Sequence, residues 1–144
     1  MKKTVLLIVI TFSLYGLSNN TSNFLQAYAG QSTTDDRVLT SAFENRQSDI
    51  QVEDSGSVIK ILDDDTNGSR HQRFILRLPS GQTLLIAHNI DLAPRISQLY
   101  KGDTVRFYGE YEWNSKGGVV HWTHNDPRGN HIGGWLKHKG ATYQ

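Results

Sequence analysis

Cysteine is absent from the 144 residues, which excludes disulfides, thiolate metal sites and a cysteine nucleophile. Proline occurs three times and methionine once. The apolar run Val5 to Leu17 falls short of the roughly 20 residues a helix needs to cross a bilayer. Also missing are a G-x-S-x-G elbow, a phosphate-binding glycine loop and an H-E-x-x-H helix, so the simplest signatures of serine hydrolases, nucleotide enzymes and zinc proteases do not apply. No one sign of charge dominates: 15 basic side chains against 14 acidic ones give a formal charge of +1. A general basic attraction to nucleic acid is thereby ruled out. The distribution is uneven, however. Residues 30–69 carry 3 basic and 9 acidic side chains, and residues 70–144 carry 10 and 5, so the second half could hold a basic face. What is present argues for one folded domain: 37% hydrophobic residues and three tryptophans are more than a disordered chain carries.

Lys2 and Lys3, the apolar stretch to Leu17, a polar run and Ala27-Tyr28-Ala29 before Gly30 read as a secretory signal peptide over 1–29. Gly16-Leu17-Ser18 offers a second cleavage position. The mature chain is expected to be exported, periplasmic or secreted, with no membrane attachment after cleavage. No cysteine follows the apolar stretch, so a lipid anchor is excluded.

Residues 30–49 are expected to be helical, with Thr34 as cap, Asp35 and Asp36 in the first turn, and Val38, Leu39, Ala42 and Phe43 as the packed stripe to about Gln47. From Ile50 the hydrophobic period changes to two. Ile50 to Leu62 reads as one long strand bent at Ser55-Gly56, followed by a turn over Asp63 to Ser69. Strands over Arg70 to Leu78 and Thr83 to Ile90 come next. Asp91-Leu92-Ala93-Pro94 reads as the start of a short helix anchored by Ile96 and Leu99. Thr104 to Trp113 and Val119 to Thr123 are the last two strands, joined by a hairpin turn over Asn114 to Gly118. Gly109 is expected to relieve crowding where its strand bends. Trp135 to Tyr143 reads as a small hairpin around Lys139-Gly140. Three strands, a helical plug and two more strands is the order of the OB-fold. The fold expected over 50–144 is therefore mainly β, a five-stranded OB-like Greek-key barrel with an N-terminal helix and a short helix between strands three and four.

Four of the six histidines fall between 121 and 138. Imidazoles and a carboxylate suit a borderline cation such as Zn²⁺ where thiolates are lacking, and His121, His124, Asp126 and His131 form the candidate set. In a continuing strand His121 and His124 face opposite ways, so they converge only if the strand ends near Thr123. Asp63, Asp65 and Asn67 match the first half of a calcium loop, but Phe74 stands where its closing acidic residue belongs. His71 and Arg73 share the outward side of the second strand with Arg77. With His88, Trp113 and Trp122 they are the candidate ligand-binding residues. Arg106, Tyr108 and Lys116 could extend this surface toward single-stranded nucleic acid, a weaker expectation because the second strand lacks exposed aromatics.

The stretch from Ser48 to Gln144 resembles an uncharacterised bacterial family of small exported domains, a domain of unknown function. The resemblance rests on Arg70-His71-Gln72-Arg73-Phe74, on Ile86 to Arg95, on Tyr111-Glu112-Trp113-Asn114, on Gly117 to His124 and on Gly133-Gly134-Trp135. It implies no reaction, only that these polar clusters belong to the family's character. The function expected is an exported OB-like module binding a small or oligomeric ligand through its His/Arg/Trp face. The alternative is a metal-dependent hydrolase, a nuclease among the options, acting through the His121–His131 cluster.

Overall fold

Alternation of apolar and polar side chains from Ile50 onward determines the architecture of the described residues, 36–144, in this computed structural model. The expected signal peptide, Thr34 and Asp35 lie outside them. The chain is mainly β. Strand β1 (Ile50–Asp65) is followed by β2 (His71–Arg77), β3 (Thr83–Asn89), β4 (Thr104–Glu112), β5 (Val119–His121), β6 (Trp135–His138) and β7 (Ala141–Tyr143). They form one mixed sheet in the order β1-β2-β3-β5-β4-β6-β7, and β1 also pairs with β4. Hydrogen-bonded neighbours therefore run in a ring through five strands, with β3 and β5 parallel and the other pairs antiparallel.

The ring depends on β1 serving two partners. Ile50 to Ser57 pair with β4, and Ser57 to Asp65 pair with β2. Gly56 sits at the handover, where a Cβ would lie 2.9 Å from the Arg77 carbonyl oxygen and 3.0 Å from the Leu76 Cβ. The expected bend is in place, and the lack of a side chain is what lets the strands approach there. Gly109 has the same role on β4, since a Cβ would lie 2.5 Å from the carbonyl oxygen of His121.

Inside the ring, Val52, Val58, Phe74, Leu76, Leu84, Ile86, Phe107 and Val120 come from alternate positions of their strands and are buried. Leu39 and Ala42 reach the same core from a helix described over 36–44, whereas Val38 remains 46% exposed, outside the expected stripe. The helix ends in a Schellman pattern: Gln47 N–H donates to the Ala42 carbonyl, Arg46 N–H to that of Phe43, and Arg46 has φ 53°. Trp113 holds this helix to the sheet. Its indole N–H donates to the Phe43 carbonyl at 3.0 Å and its ring stacks on Phe43.

Three expectations are corrected. The short helix between β3 and β4 does not form; residues 91–100 are turns and irregular chain. Pro94 disfavours helical geometry at Ala93 and removes a donor, and the Asp91 side chain accepts from Arg70 N–H and Nε instead of capping a helix. Gln72 then clamps the connection through both the N–H and the carbonyl of Ile96. The turn expected from Asp63 starts later, because β1 continues to Asp65. The C-terminal hairpin does form around Lys139-Gly140, and it joins the main sheet through β6 on β4, so the sheet has seven strands rather than five. Among the described residues no helix is long and apolar enough to cross a membrane.

Candidate functional site

Strand β4 has β1 along one edge and β5 followed by β6 along the other, so its outward face is the meeting point of three neighbours. That face carries Arg106, Tyr108, Glu110 and Glu112. The hairpin turn places His121 directly opposite Glu110. His121 Nε2 lies 3.5 Å from Glu110 Oε1 and 3.8 Å from Glu112 Oε1, and it is buried without a hydrogen-bond partner. One ligand atom from each of these three residues lies within 4.8 Å of the others.

The loop after β5 completes the group. Trp122 adopts φ 53°, a left-handed conformation that bulky residues rarely hold, and it ends the strand abruptly. The chain then returns through Gly133-Gly134 past the middle of β4 at Tyr108. A Cβ on Gly134 would overlap the carbonyl oxygens of Trp122 and Tyr108. This return brings His131 onto Trp122, with ring centroids 4.0 Å apart and planes 8° apart. His131 Nδ1 lies 2.7 Å from the Ile132 carbonyl and Nε2 lies 2.6 Å from Glu110 Oε2. Both acceptors call for N–H donors, which describes an imidazolium. Desolvation opposes the charge, but the Ile132 carbonyl and the Glu110 carboxylate outweigh it and hold the His131 pKa above its ordinary value. Glu110 thus turns one oxygen toward each histidine.

The expected metal quartet does not assemble. Since β5 ends at His121 and Trp122 reverses the chain, His124 turns inward, buried, with Nδ1 2.7 Å from the Asn125 carbonyl. Asp126 is taken up by its own loop and accepts from the backbone N–H groups of Arg128, Asn130 and His131 at 2.7–3.0 Å. The Arg128 N–H above all, against some desolvation, and then those of Asn130 and His131 hold its carboxyl below the usual range. Of the four, His121 and His131 are brought together. Sequence reasoning missed Glu110 and Glu112. A signal was present: two carboxylates two positions apart share a strand face, and a hairpin closing at Asn114 to Gly118 places a histidine opposite one of them.

The ligand-binding candidates divide between locations. His71 and Arg73 face outward on β2, His71 Nδ1 against the Ser69 carbonyl and Arg73 Nε donating to that of Asp63. His88 lies inside the ring at 0% exposure, between Thr123 Oγ1 at 2.8 Å and the Pro94 carbonyl at 3.1 Å. Burial pushes its pKa down to about 4. Trp113 is the helix anchor. In the acidic run, Asp64 pairs with Arg95 of the connection after β3 at 2.5 Å, and Asp65 Oδ1 accepts the Asn67 N–H within its own turn. Arg106 pairs with Glu53, and Tyr108 packs against Trp135, which also lies under Lys137.

One register row joins the remaining candidates. Arg73 pairs with Ala87, and the parallel register of β3 on β5 carries Ala87 toward His121. His121 pairs with Glu110, and Glu110 pairs with Gln51. All five residues point away from the core, and Ala87 is the smallest side chain of the row.

A family model described as "Protein of unknown function (DUF3465)" matches residues 23–144. No curated protein matches the chain.

Proposed function

The chain belongs to the DUF3465 family, of unknown function, and on that premise we propose that it is an exported binding module on an OB-like five-stranded Greek-key barrel. The closed strand ring β1-β2-β3-β5-β4 supports the barrel reading, since an OB-fold closes through a parallel pairing of its third and fifth strands. Lys2, Lys3 and the apolar Val5 to Leu17 support export.

The observation that carries the binding role is the outward row from Arg73 past Ala87 to His121 and Glu110. It spans three strand gaps, about 14 Å at the usual strand spacing, roughly the length of an extended tetrapeptide. Arg73 offers a cationic donor and His71 an imidazole at one end, the Glu110–Glu112–His121 group lies at the other, and Ala87 leaves the middle open. The ligand is a small or oligomeric polar molecule lying across the strands. Nucleic acid fits less well, because Glu53, Glu110 and Glu112 share the outer face of β1 and β4 with the cationic side chains.

The test is an NMR titration with zwitterionic tetrapeptides and with neutral oligosaccharides of that length. Amide shifts confined to Arg73, Ala87, His121 and their row neighbours, and lost in Arg73→Gln, are expected. Shifts elsewhere, or none at millimolar probe, would overturn the reading. N-terminal sequencing of the protein recovered outside the cytoplasm tests export; a chain found only inside, still beginning at Met1, refutes it.

A further inference from the structure

We infer that Glu110, Glu112 and His121 form a three-ligand site for a divalent cation of the Zn²⁺ class. The site does not depend on the ligand-binding role of the surrounding face. Four observations lead to it. The ligand atoms lie within 4.8 Å of one another, and the two distances from His121 Nε2, 3.5 and 3.8 Å, are close to what a shared ion needs. Donors about 2.0–2.2 Å from a tetrahedral centre stand about 3.3–3.6 Å apart. His121 Nε2 is buried with no hydrogen-bond partner, and it points between two carboxylate oxygens. Among the described residues no lysine or arginine pairs with either glutamate, so no protein cation other than imidazole answers two adjacent negative charges.

The fourth observation is preorganisation. Glu110 presents Oε1 to His121 while Oε2 is held at 2.6 Å by His131, itself fixed by the Ile132 carbonyl and by stacking on Trp122. Partners that orient a ligating carboxylate in this way raise metal affinity without touching the ion. His131 is therefore a positioning residue, and the left-handed Trp122 sets its platform. Two carboxylates and one imidazole suit Zn²⁺ or Mn²⁺ better than the all-oxygen preference of Ca²⁺. Three protein ligands leave a coordination position for water or for an acceptor group of a bound molecule.

Isothermal calorimetry of Zn²⁺ alone into untagged, chelator-stripped protein tests the site, with Co²⁺ absorption as a second reading. One equivalent is expected to bind, with a visible Co²⁺ band and a rise in the thermal midpoint on adding Zn²⁺. His121→Asn and Glu112→Gln should each weaken binding on the order of 100-fold, and His131→Gln about tenfold. Asp65→Asn, in the acidic run that ends β1, should leave affinity unchanged. If His121→Asn fails to fold by near-ultraviolet circular dichroism, the near-isosteric Glu112→Gln decides alone. No binding at 1 mM Zn²⁺, or equal affinity in Glu112→Gln, overturns the inference. No peptide or sugar probe enters this experiment, so its failure is separable from failure of the ligand-binding reading.

Discussion

Acidification should destabilise the fold through His88. The side chain is 0% exposed, and Nε2 faces the Pro94 carbonyl, which can only accept, so Nε2 carries the proton and Nδ1 accepts from the Thr123 hydroxyl. Neutral imidazole satisfies both contacts. Burial pushes the folded pKa down from 6.5 to about 4. Between those values the unfolded chain binds the proton and the folded chain does not, so stability is fully present above pH 6.5 and is lost as pH falls toward 4. At about 1.4 kcal/mol per unit, the loss across the window is on the order of 3 kcal/mol. Urea unfolding followed by tryptophan fluorescence from pH 7 down to pH 4 measures it. His88→Gln can still donate to the Pro94 carbonyl and does not titrate. It should start about 1–3 kcal/mol less stable at pH 7 and lose that deficit as pH falls. The His131 pKa is shifted upward, so its contribution is present below pH 6.5 and fades as pH rises above it, outside the His88 window. Equal pH slopes for wild type and His88→Gln between 6.5 and 4 would refute the argument.

Two further outcomes follow from packing. Gly109→Ala places a methyl 2.5 Å from the His121 carbonyl oxygen and should cost about 1–3 kcal/mol, with NMR shifts concentrated at His121 and Glu110; an unchanged urea midpoint would contradict the close approach of β4 and β5. Trp113→Leu removes the hydrogen bond to the Phe43 carbonyl and the stacking on Phe43, and should cost about 1–3 kcal/mol. Amide exchange over 36–44 should quicken more than exchange in β2 and β3, and uniform quickening would show that Trp113 is not a local anchor.

Strand positions were legible wherever one face is buried, because alternation alone decides which residues meet the core. Phe74, Leu76, Leu84 and Ile86 announce their sides, and glycines at 56 and 109 mark where neighbours crowd. The connection after β3 departs from its local helix signals for a physical reason. Asp91 and Pro94 are good helix starters in isolation, but Arg70 and Gln72, some twenty residues earlier in the chain, compete for the groups that a first turn would need. The same limit applies to β6, whose local pattern declares only a hairpin: its partner Phe107 is 29 positions from Leu136, and nothing local announces the pairing.

The candidate site shows where local reading stops. His121 and His131 stand out by type and density, and proximity in the chain then suggested Asp126 as their carboxylate. Yet Asp126 is close to His131 in sequence because it shapes the loop that holds His131, and its oxygens are already occupied by that loop's N–H groups. The carboxylates that meet the imidazoles come from the preceding strand, where register rather than sequence distance determines contact. Glu110 and Glu112 look like ordinary outward residues of an amphipathic strand until the hairpin is closed and His121 is set against Glu110. A histidine that follows a β-hairpin should therefore be paired on paper with the residue its turn places opposite. Applied to Asn114 to Gly118, that rule leads from His121 to Glu110, and the alternation of the strand leads from there to Glu112.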